Sequence, residues 1–121
     1  MKTILAAILG GALLWCASAN AACVDNVVLV HGNAGNPSDF NTTYNELRAR
    51  GYATSQIFRP TWGSKACPAC NDHSGTEETP VKNTLIDAIA SSCTGKIDVI
   101  GHSMGVTLAA HQINKYGLTS Y

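Results

Sequence analysis

Charge of either sign is scarce in this chain, and neither sign is in excess: eight Lys plus Arg stand against eight Asp plus Glu, 13% of the residues together. No basic run or stripe is present, which argues against a nucleic-acid partner. There is no internal repeat and no low-complexity tract, and after the first residues there is no long apolar run. The Cys67-Pro68-Ala69-Cys70 pair has no second ligand pair at metal-binding spacing, so it does not read as half of a zinc site, and no metal is expected. It also lacks the helical context of a redox CxxC, because Pro68 and the following "NDHSG" read as loop. What remains is a chain of 121 residues, 45% apolar, long enough for one globular domain at most.

The N-terminus has its own pattern. Lys2 precedes "TILAAILGGALLW", and the small residues of "CASANAA" follow. A charged start, an apolar middle and an A-x-A-like end read as a secretory signal peptide over residues 1–21, cleaved after Ala21 or, alternatively, after Ala19. The apolar stretch is shorter than the roughly 20 residues that span a bilayer, which disfavours an anchor. Asn20 occupies the position where a lipid-attachment signal at Cys23 would carry an aliphatic residue. Removing the leader removes Cys16 and leaves Cys23, Cys67, Cys70 and Cys93 in an oxidising compartment, extracellular or periplasmic. Two disulfides are expected there, with three connectivities open.

The rest alternates strand and helix. "NVVLV", Asn26 to Val30, reads as a buried strand, followed by the turn-rich "HGNAGNPSD". Phe40, Tyr44 and Leu47 share one face of a helix over "FNTTYNELRAR", which Ser38 or Asp39 can cap and Gly51 ends. "YATSQIF", Tyr52 to Phe58, predicts a second strand, and a long loop follows to about Thr79. Thr79-Pro80 predicts a helix start, with Thr79 as cap and Val81, Leu85, Ala88 and Ile89 on the inner face. "KIDVIG" reads as a third strand, and "MGVTLAAHQINKY" as a third helix ended by Gly117. Such alternation predicts parallel strands joined by right-handed crossovers, with ligands beyond their carboxyl ends.

Two motifs fall at those ends. Gly101-His102-Ser103-Met104-Gly105 is a G-x-S-x-G between an apolar strand and an amphipathic helix. In that context a sharp turn lifts the serine hydroxyl clear of the sheet, and Gly101 and Gly105 remove side chains that would strike a neighbouring strand or helix. Ser103 is therefore the candidate nucleophile. The candidate oxyanion donors are the backbone N–H of Met104 and, from the loop after the first strand, that of Asn33. His31, at a strand end, reads as structural. Trp62 reads equally as lining an acyl pocket or as packed under its loop.

Taken together, "VVLVHG", the helix after it, the strand leading to "FRPTW" and "IDVIGHSMG" resemble the α/β-hydrolase superfamily, and more narrowly the small secreted lipases of the class 2 type. The resemblance implies a three-layer α/β fold around a parallel sheet, of which residues 22–121 would be the N-terminal part. It implies hydrolysis of a carboxylic ester or acylglycerol through an acyl-enzyme on Ser103, with no cofactor, an ester or lipid substrate as partner and transient contact with lipid interfaces; it leaves the oligomeric state open. If the first and third strands are neighbours, as in that superfamily, Cys23 pairs with Cys93 and Cys67 with Cys70. An acyltransferase or thioesterase, or a non-catalytic binding module, would share the fold.

The superfamily's chain order is nucleophile, acid, histidine. Between Ser103 and Tyr121 there is no Asp or Glu, and the one histidine, His111, lies eight residues along the same helix, about 12 Å away. Asp72 and His73 lie in a loop at the correct end of the sheet, but adjacent residues rarely orient each other in a triad. The expectation is a truncated chain with little esterase turnover of its own, poor solubility from an unpaired strand edge, and an Asp and then a His in the reading frame beyond Tyr121.

Overall fold

The computed structural model describes residues 23–73 and 78–120. The leader and its cleavage positions lie outside the described residues. The elements run in the order β1 (Asn26–Val30), α1 (Asn41–Ala49), β2 (Ile57–Phe58), α2 (Glu78–Ser91), β3 (Ile97–Gly101) and α3 (Met104–Lys115), with short 3₁₀ turns at Pro37–Phe40, Thr54–Gln56, Pro68–Cys70 and Leu118–Ser120. The three strands form one parallel sheet in the order β2-β1-β3.

The central strand explains the layering. All five residues of β1 are buried, and alternate side chains leave opposite faces of a strand. Val28 and Val30 join Val81, Leu85 and Ala88 of α2 and Leu108 and Ala109 of α3 on one side. Val27 and Leu29 join Phe40 and Ile57 on the other, with Tyr44 and Leu47 of α1 packed against them. The result is helix, sheet, helix: the three-layer α/β arrangement expected from the sequence. Each buried Val or Leu side chain contributes about 1.5–3 kcal/mol of apolar transfer. The one polar residue of β1, Asn26, donates to the carbonyl of Ala88 at 2.9 Å and to Ser91 Oγ at 3.1 Å. That bond occupies a carbonyl in the last turn of α2, which has no partner within the helix.

The second strand is shorter than the sequence predicts. Only Ile57 and Phe58 pair with β1, opposite Val27 and Val28. Residues 54–56 turn instead, because Gln56 folds back, its Oε1 accepting from the Ala53 N–H at 2.7 Å, and its own N–H bonding the Ala53 carbonyl. This local bond outcompetes the β-propensity of Tyr52 and Thr54. The caps also differ from expectation. Asn36, rather than Ser38 or Asp39, caps the turn that leads into α1; its Oδ1 accepts from the Ser38 N–H, and Asp39 Oδ2 accepts from the Asn36 N–H in return.

The helix α2 includes Glu78, so Thr79 lies inside it rather than capping it. The reason is long-range. Glu78 is 6% exposed, and its carboxylate accepts from Lys115 Nζ at 2.8 and 3.0 Å, Tyr116 Oη at 2.7 Å and Gln112 Nε2 at 3.3 Å. This cluster bolts the start of α2 to the end of α3. The Lys115 bond first, then that of Tyr116, pulls the Glu78 pKa down to about 2. At the opposite end of the sheet, Cys23 and Cys93 are joined, with Cα atoms 5.9 Å apart; Cys67 is joined to Cys70 in the loop that touches Asn33. Both pairings are those implied by β1 and β3 being neighbours.

Candidate active site

The pairing of β1 with β3 brings two chain exits together. Val30 stands opposite Gly101, and the His102 N–H bonds the Val30 carbonyl at 3.0 Å. His31-Gly32-Asn33 and His102-Ser103 therefore leave the sheet side by side, beyond its carboxyl edge.

Ser103 sits at the junction of β3 and α3 with φ 52° and ψ −129°. A non-glycine residue with positive φ is strained, and such strain persists only where the surroundings over-determine it. The neighbours do so here. A Cβ on Gly105 would lie 2.3 Å from the carbonyl oxygens of Val30 and His31, and one on Gly101 would lie 2.7 Å from the Val106 Cα. Both positions admit only glycine unless α3 moves. The turn then closes at once, with Gly105 N–H bonding the His102 carbonyl at 2.9 Å and Val106 N–H the Ser103 carbonyl at 3.0 Å. Ser103 is exposed and its side chain does not cap α3. Met104, the first residue of that helix, has an N–H with no acceptor inside the helix, at the end where the helix dipole is positive.

The loop after β1 lies against this turn. A Cβ on Gly32 would be 3.2 Å from Ser103 Cβ. Gly35 N–H bonds the Gly32 carbonyl at 3.0 Å, so Gly32 to Gly35 form a tight turn with Ala34 at φ 58° and Asn33 at its first corner. The Asn33 side chain is tied down at both ends. Its Nδ2 donates to the Pro68 carbonyl at 3.1 Å, and its Oδ1 accepts from Asn71 Nδ2 at 2.6 Å.

The four histidines have separate occupations. His31 is fully buried and stacks on Trp62, with ring centroids 5.6 Å apart. Its Nε2 accepts from the Trp62 N–H at 3.3 Å, which leaves the proton on Nδ1, 2.8 Å from the Gly32 carbonyl. Trp62 Nε1 donates to the His31 carbonyl at 2.8 Å. Both residues are thus structural, and Trp62, 3% exposed, belongs to the core rather than to an open pocket. His73 Nε2 lies 2.9 Å from Thr107 Oγ1, and its ring stacks on His111. His102 is exposed and borders a cleft of about 260 Å³ with Asp39, Phe40 and Thr43. No hydrogen bond from any of these rings reaches Ser103 among the described residues. Nor do those residues include a group of three or more His, Cys, Asp or Glu that could hold a metal ion.

The structure thus brings together Ser103, Met104 and the Gly32–Asn33 turn, and leaves His73 and His111 with each other. Sequence reasoning missed Asn71 and Ser64, whose roles come only from the folding of their loop; an asparagine directly after a CxxC carries no pattern that announces them.

The family described as Lipase (class 2) matches residues 25–118. The chain belongs to the class 2 lipase family. The match begins immediately before β1 and ends at Leu118, after α3, so it takes in the whole sheet, the strand-to-helix turn and the loop beside it. No match was found among curated proteins. The family is one of lipase-like hydrolases, and the parallel three-stranded sheet with helices on both faces is of the α/β-hydrolase type.

Proposed function

We propose that this class 2 lipase chain carries the nucleophile and oxyanion site of an exported ester hydrolase, and that Ser103 forms the acyl-enzyme. Ser103 Oγ attacks the ester carbonyl, the alcohol leaves with a proton, and water then releases the acid and restores the hydroxyl. The backbone N–H groups of Asn33 and Met104 stabilise the oxyanion that forms at each stage. The observation that carries this reading is the strained backbone of Ser103, exposed beyond the sheet and pressed between Gly32 and the start of α3.

Among the described residues none of the four histidine rings hydrogen-bonds Ser103: His31 is held on Trp62, and His73 lies against Thr107. The substrate is a carboxylic ester or lipid, turned over without a cofactor, with a lipid interface as its transient contact. Export is supported by the two disulfides, which persist in oxidising compartments.

Hydrolysis of a p-nitrophenyl ester by the protein expressed from its complete reading frame tests the reading. Ser103→Ala is expected to lower kcat by at least 10³-fold with the fold intact. Turnover that survives this substitution would refute the assignment. Failure of a fluorophosphonate to label the wild-type protein would favour a non-catalytic binding module.

A further inference from the structure

The geometry points to Asn71 as a positioning residue that holds the Asn33 oxyanion donor in place, with the Cys67–Cys70 ring as its support. The inference rests on the reading of Asn33 as a donor. Asn33 itself is exposed, on a surface turn held by one backbone bond and carrying Ala34 at positive φ. Such a turn, left alone, belongs to the least stable part of a protein. An oxyanion donor, however, must be preorganised, because a displacement of about 1 Å can lower turnover by roughly 10²-fold.

Rigidity is supplied from the loop at residues 64–71. Asn71 is 9% exposed, and its amide makes three hydrogen bonds, two from Nδ2 and one to Oδ1. Its Oδ1 accepts from the Ser64 N–H at 2.6 Å, while its Nδ2 donates to the Ser64 carbonyl at 3.0 Å and to Asn33 Oδ1 at 2.6 Å. Two bonds to one residue fix the plane of the Asn71 amide, and the third passes that fixed direction to Asn33. The other end of the Asn33 amide meets the Pro68 carbonyl, which the Asn71 N–H also reaches at 3.3 Å. Pro68 lies inside the ring closed by Cys67 and Cys70, and Cys67 N–H is anchored on Ser64 Oγ at 3.1 Å. The CxxC loop is thus a rigid bracket, and the Asn33 side chain is the pin it grips. Among the described residues no hydrogen bond from the bracket reaches Ser103; its effect travels through the Asn33 backbone.

The test uses p-nitrophenyl ester kinetics on the protein expressed from its complete reading frame. Asn71→Ala and Asn33→Ala each keep the Asn33 backbone N–H yet break the grip. Each is expected to lower kcat about tenfold with KM within twofold, since an oxyanion contact acts in the transition state rather than in substrate binding. The double variant is expected to fall no further than either single one, because both remove the same coupling. Asn33 is exposed, so Asn33→Ala keeps the fold and carries the test even where Asn71→Ala does not. Unchanged kcat in Asn33→Ala, a change confined to KM, or additive losses would overturn the inference. Ser103→Ala separates the two levels: if it abolishes turnover while Asn33→Ala leaves kcat intact, the bracket fails and the nucleophile stands. If Ser103→Ala retains turnover, both fall.

Discussion

Replacing Gly105 by alanine probes how tightly the serine turn is seated. The new Cβ would stand 2.3 Å from the carbonyl oxygens of Val30 and His31. These are backbone atoms at the end of the central strand, and they cannot rotate aside as a side chain could. To restore ordinary contact, α3 must retreat from β1 by roughly 1 Å. Overpacking of this kind costs about 1–3 kcal/mol in a close-packed interior. The same shift carries Met104 N–H and Ser103 Oγ away from the Gly32–Asn33 turn, and roughly 1 Å at a reacting centre lowers turnover by about 10²-fold. Urea unfolding should show a lower midpoint with an unchanged slope, and p-nitrophenyl ester assays a loss concentrated in kcat. A variant with the wild-type midpoint and turnover within twofold would show that α3 does not rest on those carbonyls, and the steric account of the turn would be wrong.

Other consequences follow from contacts farther from Ser103. Glu78 has a folded pKa of about 2 against an ordinary 4.5, so its contribution to stability is complete above about pH 4.5 and disappears as pH falls towards 2; urea midpoints of wild type and Glu78→Gln are expected to differ at pH 6 and converge in acid, and a constant difference across that range would contradict the clamp. Breaking Cys23–Cys93 by a double Cys→Ser change frees a loop of sequence separation 70 and should lower stability by about 4 kcal/mol in the chain-entropy estimate, read as a fall in urea midpoint; a shift below 1 kcal/mol would show that this bridge constrains little. Trp62→Phe keeps the ring over His31 but leaves the buried His31 carbonyl without its Nε1–H donor, at a cost of about 1–3 kcal/mol, and an unchanged thermal midpoint would remove Trp62 from the list of residues holding the loop.

Elements whose signal is local were legible in the sequence. Asn26–Val30 matches its predicted strand because five buried residues in a central strand need no alternation, and "NVVLV" has none. Val81, Leu85 and Ala88 face the sheet, as their spacing requires, whereas Ile89, expected on the same face, is half-buried and outside that cluster. The pairing of the cysteines followed once β1 and β3 were taken as neighbours. Features decided by distant partners were not legible. Nothing around Thr54 shows that Gln56 would fold back and shorten β2, and nothing around Glu78 shows that Lys115, Tyr116 and Gln112 would gather on it and carry the helix past Thr79. At the site, the G-x-S-x-G pattern identified the turn, because its glycines are fixed by local sterics. The asparagine bracket is a loop-to-loop contact across 38 residues, invisible to any local pattern.

A crystal structure of the protein after reaction with a p-nitrophenyl phosphonate examines the central claim most directly. The account predicts phosphorus bonded to Ser103 Oγ, with one phosphoryl oxygen 2.7–3.1 Å, the ordinary range for oxyanion donors, from the backbone nitrogens of both Asn33 and Met104. Phosphorus on another residue, or an oxygen out of reach of the Asn33 nitrogen, would contradict it.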